Sequence, residues 1–239
     1  MRAVVLAAGD GGRLGPYTSS SPKPLIGLEG RRIIDYTLDS LEESGVLEAV
    51  VVTGYLGDRL RETLSAGWEG AMDLRFVHNP DFKGGATTSL AAARTACSDE
   101  PFILAMADHL LSPPLIGKLV DAAIDRTCCS FVAADFQLRE AAYAHEATKL
   151  ALDESGRVTA IGKDVGDWDA LDTGAFYCRP EVWDALEDIP RGAELSVLFA
   201  QLAARGLLHA ADVSGAFWYD IDTVEDLAVA TALIAGGAA

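Results

Sequence analysis

Apolar residues in the first hundred or so positions fall into two alternating patterns. Short runs apolar on consecutive residues, at 3–8, 49–53, 74–78 and 102–107, are separated by segments at 32–44, 57–66 and 89–97 whose apolar residues recur at three- and four-residue intervals. A strand apolar on every residue is buried on both faces, as happens when helices cover both sides of a parallel sheet. In 32–44, Ile33, Ile34, Leu38 and Leu41 make one stripe and Gly45 supplies a stop. The rhythm is βαβα, and the predicted fold class is α/β with a mostly parallel central sheet.

Beyond residue 112 the pattern is more mixed. A helix is expected at 114–125, strands at 130–135 and 148–152, a turn at Glu154-Ser155-Gly156, further strands at 157–161 and 173–178, and helices at 181–187, 195–205 and 224–234. No long linker or internal repeat divides the chain, and only the Ala/Gly tail after Ile234 is of low complexity. One continuous domain over 1–239 is therefore expected.

Half of the 239 residues are hydrophobic, enough for a substantial core, which excludes disorder as the dominant state. The 36 acidic and 19 basic side chains leave a net charge of −17, which argues against an extended nucleic-acid surface or an anionic membrane partner. Small phosphorylated ligands remain compatible, because they need only local cations, backbone N–H groups or a metal. The apolar runs are too short for a membrane helix, and the first one, broken by Gly9-Asp10-Gly11-Gly12, is too short for a secretory signal, so a cytoplasmic protein is expected. Cys97, Cys128, Cys129 and Cys178 form no CxxC pair and stand at no zinc-finger spacing, and are expected as buried reduced thiols, with Cys128 and Cys129 in strand core.

The most informative stretch leaves the first strand: Leu6-Ala7-Ala8-Gly9-Asp10-Gly11-Gly12-Arg13-Leu14-Gly15-Pro16, followed by Pro22-Lys23-Pro24-Leu25. Ligands of open α/β sheets bind beyond the carboxyl ends of strands, and glycines there let backbone N–H groups approach phosphate oxygens. Arg13 and Lys23 add positive charge. The loop is not a dinucleotide fingerprint, since Leu14 stands at the third glycine position, nor a P-loop, since it lacks Gly-Lys-Ser/Thr. Taken alone, it is equally well an ordinary strand-to-helix turn.

Asp108 follows the buried run 102–107, where a strand leaves the sheet. Asp220 and Asp222 lie in Phe217-Trp218-Tyr219-Asp220-Ile221-Asp222, where strand alternation points both carboxylates to one side and suits them to Mg²⁺. Each also has a plainer reading, Asp108 as a loop or cap residue before Pro113 and Asp222 as the cap of the last helix. His109 is expected to be structural or to stand behind the ligands. A second small-residue loop, Lys83-Gly84-Gly85-Ala86-Thr87-Thr88-Ser89-Leu90, either reads a base edge or starts a helix with Thr88 or Ser89 as N-cap.

Leu6-Ala7-Ala8-Gly9-x-Gly11-x-Arg13-Leu14-x-Pro16-x-Thr18 with Pro22-Lys23-Pro24-Leu25 resembles the signature of the sugar-phosphate nucleotidyltransferases. The resemblance implies a Rossmann-like three-layer α/β/α fold, with 1–110 as a nucleotide-binding half and 111–239 as an acceptor-binding half. It implies transfer of a nucleotidyl group from an NTP to a phosphate monoester, with release of pyrophosphate. On this reading Asp108 and Asp220, with Asp222 close behind, hold Mg²⁺, and Arg13 and Lys23 act on the triphosphate. Leu6, Ala7, Ala8, Gly9, Gly11 and Gly12 bind the nucleotide, and Gly84, Gly85, Thr88 and Ser89 contact its base.

Met106-Ala107-Asp108-His109, Glu146-Ala147-Thr148-Lys149, Ile161-Gly162-Lys163, Leu171-Asp172-Thr173-Gly174-Ala175-Phe176 and Trp218-Tyr219-Asp220-Ile221-Asp222-Thr223 resemble the CTP:inositol-1-phosphate cytidylyltransferases. The implied substrates are CTP and inositol-1-phosphate. Lys149 and Lys163 then serve as cations for the acceptor phosphate, and Asp172 and Thr173 bond polyol hydroxyls. Gly12 stands where many relatives carry Ser or Thr, and Gly85-Ala86 where related cytidylyltransferases often carry Asn. Relatives are often fused to a membrane phosphotransferase domain, so a separate CDP-alcohol phosphotransferase is expected to consume the product. The competing expectations are a phosphocholine cytidylyltransferase, a hexose-1-phosphate nucleotidyltransferase, and a non-catalytic nucleotide-binding regulatory module.

Overall fold

The computed structural model describes residues 1–97, 99–126, 128–137 and 147–237. The first half alternates as its hydropathy requires: β1 (Arg2–Ala7), the short hairpin β2 (Gly27–Leu28) and β3 (Arg31–Arg32), α1 (Ile33–Glu43), β4 (Glu48–Thr53), α2 (Gly57–Gly67), β5 (Asp73–His78), α3 (Ala86–Cys97) and β6 (Phe102–Met106). The second half contains β7 (His109–Leu111), α4 (Pro113–Asp125), β8 (Ser130–Asp135), β9 (Lys149–Leu152), β10 (Val158–Gly162), β11 (Ala170–Cys178), α5 (Glu181–Glu187), α6 (Leu195–Ala204), β12 (Leu208–Asp212), β13 (Trp218–Asp220) and α7 (Val224–Ala235). Glu146 and the last two alanines lie outside the described residues. No helix among the described residues is long and apolar enough to cross a membrane.

Among the described residues the central sheet has nine strands. β6, β1, β4 and β5 run parallel side by side, β12 runs parallel to β8, and the long β11 is antiparallel to β6, β8 and β9. Along β1, Ala3, Val5 and Ala7 face one apolar layer with Leu38 and Leu41 of α1 and Leu60 and Leu64 of α2. Val4 and Leu6 face the other, with Leu90 of α3 and Leu198 and Phe199 of α6. Alternate burial of consecutive residues on opposite faces is the three-layer arrangement, and it accounts for the unbroken apolar runs. Phe199 stacks on Phe176 of β11 with ring centroids 3.7 Å apart, which fixes α6 on the sheet.

Two departures from regularity create the site. β6 pairs with Ala175–Cys178 of β11, while β9 pairs with Ala170 and Leu171 farther along the same edge, so the sheet parts at Asp172–Gly174. Separately, β7 and β13 form a two-stranded antiparallel sheet that sets His109 opposite Asp220. β13 ends at Asp220, two residues before the strand read from the sequence, and the intervening Ile221 is buried with Leu14, Leu110 and Leu227 in a third apolar cluster. Cys129 is buried as expected, but Cys128 is exposed because it lies in the turn before β8.

Candidate active site

The glycine loop after β1 closes as a 3-10 turn over Gly12–Tyr17. Gly11 sits at φ 62°, and a Cβ there would stand 2.9 Å from the Cβ of Lys23 and 3.0 Å from Cγ2 of Thr18, so no other residue lets Lys23 approach the loop this closely. Lys23 is buried, and Pro22 and Pro24 hold it in a single 3-10 turn. Leu6, Ala7, Gly9, Gly11, Gly12, Arg13, Lys23, Asp108 and Asp222 line one cavity of about 430 Å³ beyond the ends of β1 and β6. Ala8, expected to bind the nucleotide, is buried and does not line this cavity; its carbonyl accepts the N–H of Tyr55 at 2.9 Å.

Four charged residues from three distant segments converge here. Lys23 Nζ donates to Asp108 Oδ2 at 2.6 Å and to Asp222 Oδ1 at 3.0 Å, and Arg13 pairs with Asp222 Oδ2 at 2.6 Å. Neither aspartate caps a helix. Ser112 is the N-cap residue of α4, and Thr223 caps α7 in a reciprocal box with Asp226, which leaves the Asp222 carboxylate to the cations. Asp222, expected as a metal ligand, therefore has both oxygens engaged by Lys23 and Arg13. Burial opposes the charge of Lys23, but Asp108 and Asp222 outweigh it and hold the ammonium above its ordinary pKa.

The β7–β13 ladder adds an imidazole and a further carboxylate. Its register places His109 Nδ1 3.0 Å from Asp108 Oδ1 and 3.5 Å from Asp220 Oδ1, and Ile221 N–H donates to the Asp108 carbonyl at 3.2 Å. Asp108, His109 and Asp220 each offer one ligand atom within 4.8 Å of the others. Asp220 Oδ1 is buried without a hydrogen bond, a deficit that a cation would relieve, so these residues fit a divalent metal. Burial works against an imidazolium, but Asp220 and Asp108 raise the His109 pKa to about 9. Burial raises the Asp220 carboxyl, helped by Asp108 and Asp222. Burial acts the same way on Asp108, but Lys23 and His109 overcome it and hold that carboxyl well below its usual range.

A second cavity, of about 330 Å³, opens where the sheet parts, and Arg13 and Asp222 line both cavities. Its wall includes Lys163, Asp172, Gly174, Glu194 and the aromatic rings of Phe176, Trp218 and Tyr219. Of the expected acceptor residues, Lys163 and Asp172 reach it. Thr173 does not: strand alternation turns it away, fully buried, with its hydroxyl donating to the Ala133 carbonyl at 3.1 Å. Lys149 is buried too, and its Nζ donates to the Lys163 carbonyl at 2.7 Å, so it holds the segment that carries Lys163.

The loop expected at the base is also differently placed. α3 begins at Ala86, which puts Thr88 and Ser89 inside its first turn instead of at its cap. Both hydroxyls accept from Asn79 Nδ2 at 3.0 Å, and Thr88 donates to the Gly85 carbonyl at 2.8 Å. Gly84 and Gly85 abut Gly192, and neither they nor Thr88 and Ser89 line the two cavities described. His109, expected to be structural or to stand behind the ligands, lies between Asp108 and Asp220. Its partner Asp220 is 111 residues away and meets it only through the β7–β13 register.

Comparison with known proteins agrees with this architecture. The chain is 36% identical over 242 residues to a bifunctional IPC transferase and DIPP synthase of Rubrobacter xylanophilus, covering 99% of this chain and 52% of that protein. It is 34% identical over 246 residues to a CMP-5'-(3-aminopropyl)phosphonate synthase of Streptomyces rubellomurinus, covering 95% and 37%. It thus spans about half the length of these relatives or less. The solved inositol-1-phosphate CTP transferase from T. maritima superposes with a TM-score of 0.81 at 24% identity, over 100% of this chain and 97% of that one, a likeness of fold. Residues 3–205 match the model of one family, and by that match the chain belongs to the MobA-like NTP transferase domain family.

Proposed function

We propose that this chain is a cytidylyltransferase that moves CMP from CTP to the phosphate of inositol-1-phosphate and releases pyrophosphate. The observation that carries the reading is the shared wall: the glycine-loop cavity and the polar-aromatic cavity meet at the Arg13–Asp222 ion pair. A triphosphate laid along the loop presents its α-phosphorus at that wall, and an acceptor in the second cavity presents its phosphate from the other side. Residues 1–110 supply most of the first cavity and 111–239 most of the second, so the two halves of one domain divide the substrates. The choice of cytidine and of an inositol phosphate is supported by the names of two similar proteins.

The reaction joins two polyanions, so its main obstacle is charge. An acceptor phosphate oxygen attacks the α-phosphorus in line, a new P–O bond forms, and the bond to the bridging α–β oxygen breaks to release pyrophosphate. Because a phosphate monoester is already largely ionised near neutral pH, no general base is required. Lys23 and Arg13 neutralise the triphosphate, and Lys163 neutralises the acceptor phosphate. Mg²⁺, held by Asp108 and Asp220, would supply further neutralisation of the triphosphate and of the departing pyrophosphate. Asp172 and Glu194 accept hydrogen bonds from ring hydroxyls, and the aromatic wall of Phe176, Trp218 and Tyr219 excludes water from the polyol ring. The reading includes a cytoplasmic setting and a CDP-alcohol phosphotransferase that takes up the product.

A matrix of the four NTPs against inositol-1-phosphate, hexose-1-phosphates and phosphocholine, followed by pyrophosphate release, tests this. The expected result is fastest release with CTP and inositol-1-phosphate. Faster release with another pair reassigns the substrates, and no release in any cell overturns the enzymatic reading in favour of a nucleotide-binding module.

A further inference from the structure

The atoms around His109 divide the acidic cluster into two sides. On one side, protein cations take Asp108 Oδ2 and both oxygens of Asp222. On the other side, His109 Nδ1 hydrogen-bonds Asp108 Oδ1 and faces Asp220 Oδ1, which has no hydrogen bond of its own. We infer that His109 is itself a ligand of the divalent cation, through Nδ1, and that the site therefore favours a first-row transition cation of the Mn²⁺ class over Mg²⁺. The inference rests on reading the Asp108–Asp220 cluster as the cation site of a nucleotidyltransferase, and on neither the nucleobase nor the acceptor.

Three features direct the imidazole at that position. The His109 backbone carbonyl accepts the Thr37 hydroxyl at 2.6 Å, and the β7–β13 register holds its strand against Asp220. Gly174, at φ 81°, packs flush on the Cδ2–Nε2 edge of the ring, where any Cβ would overlap it. That packing fixes the plane of the ring, and the hydrogen bond between Nδ1 and Asp108 Oδ1 keeps Nδ1 turned toward the two carboxylates. Neighbouring ligand atoms around an octahedral cation with bonds of about 2.1 Å stand about 3 Å apart. The 3.0 and 3.5 Å separations from Nδ1 are already close to that spacing. On binding, the cation takes the place of the Nδ1 proton, which passes to solvent. Mg²⁺ takes oxygen ligands and dehydrates reluctantly, whereas an imidazole nitrogen adds affinity for first-row transition cations, least for Mn²⁺ and more for those later in the series.

The test reads coordination directly and needs no turnover. Mn²⁺ is added to the protein in the absence of acceptor, and electron spin echo envelope modulation is recorded for directly bound nitrogen, with protein labelled by [¹⁵N]histidine beside unlabelled protein. The chain has 4 histidines, so His109→Ala identifies the one involved. The expected result is nitrogen modulation that changes with the label and vanishes in His109→Ala. The Mn²⁺-over-Mg²⁺ affinity ratio of that variant should fall by at least about tenfold, the lower end of what losing even an outer partner of a ligand costs. Should the variant fail to fold, the labelling result on the wild type decides alone. Mn²⁺ bound without nitrogen modulation, modulation that persists in His109→Ala, an unchanged ratio, or no Mn²⁺ binding would each overturn the inference. Nitrogen coordination without pyrophosphate release would instead sink the cytidylyltransferase reading and leave this one standing.

Discussion

The two cavities that meet at Arg13 and Asp222 are built in opposite ways. The first takes most of its wall from one contiguous stretch, Leu6 to Arg13, with Lys23 close behind in sequence. The second is assembled from Arg13, His109, Lys163, Asp172, Glu194 and Asp220, which share no local segment. A contiguous loop carries its own geometry wherever its strand ends. A dispersed pocket exists only while the β7–β13 ladder and the parting of the sheet at Asp172–Gly174 persist. Substitutions that act through packing should therefore damage the second cavity more than the first, and those at the shared wall should disable both.

The largest effect is expected for Lys23→Ala. Its ammonium stands 2.6 Å from Asp108 and 3.0 Å from Asp222, so its loss removes a donor to the triphosphate and leaves two carboxylates facing each other at the junction. Removing one such preorganised donor typically lowers kcat by about 10²–10³. Steady-state pyrophosphate release, with near-UV circular dichroism to confirm the fold, checks it. A kcat within a few-fold of wild type would show that the two cavities do not share a reacting centre.

Next in size is Gly174→Ala, which forces a Cβ into the His109 ring at a positive φ. A loss of about 2 kcal/mol is expected from the combined strain and overlap, or about 4–8 °C in Tm at this chain length. Gly9→Ala provides the contrast, since a Cβ at Gly9 would meet nothing within 4 Å. Its Tm should stay near wild type. Equal losses in calorimetry would contradict the difference in construction between the cavities.

What could be read from the chain follows the same division. The βαβα half was legible because buried parallel strands are apolar on every residue, and the run at 3–8 differs from β1 only at its ends. The glycine loop with Lys23 was legible because its chemistry is local. Short-range pattern could not place Thr173 and Lys149. Both looked like polar acceptor groups, yet strand alternation and burial gave their polar atoms to the Ala133 and Lys163 carbonyls. Thr88 and Ser89 were read as caps or base readers because nothing nearby reveals that Asn79 holds both hydroxyls and that the helix starts at Ala86. The placement of His109 beside Asp220 was illegible for the same reason, since a strand pairing across 111 residues leaves no periodic trace.

A smaller effect, confined to one substrate, is expected at Lys163, which lines only the second of the two cavities. Lys163→Ala should raise the acceptor KM by about tenfold, the equivalent of one charge-assisted hydrogen bond, and leave the CTP KM unchanged. Initial rates with each substrate varied in turn separate the two. A rise confined to the CTP KM would move Lys163 to the nucleotide side.

The smallest expected effect, and one whose sign changes the meaning of the site, belongs to Asp172. Burial pushes its carboxyl up from 3.8 to about 6, and Asp220 adds in the same direction, while the Gly174 N–H and His109 oppose the shift. The folded chain therefore keeps a proton on Asp172 where the unfolded chain has lost it. Below pH 3.8 both states are protonated and the group's stabilising contribution is fully present; it is lost as pH rises through about 6, and above that the folded protein carries the whole cost of a buried charge. Asp172→Asn abolishes the ionisation, and its amide oxygen can still accept the Gly174 N–H that Oδ1 now accepts at 2.8 Å. Its Tm should exceed that of wild type by a few degrees at pH 7.5, with the gap closing toward pH 4. The same variant should bind the acceptor less well, because a neutral amide is a weaker hydroxyl acceptor than a carboxylate. A gap in Tm that does not change with pH would show that Asp172 ionises normally. An unchanged acceptor KM would show that the cost of burying this charge is not retained for binding the polyol.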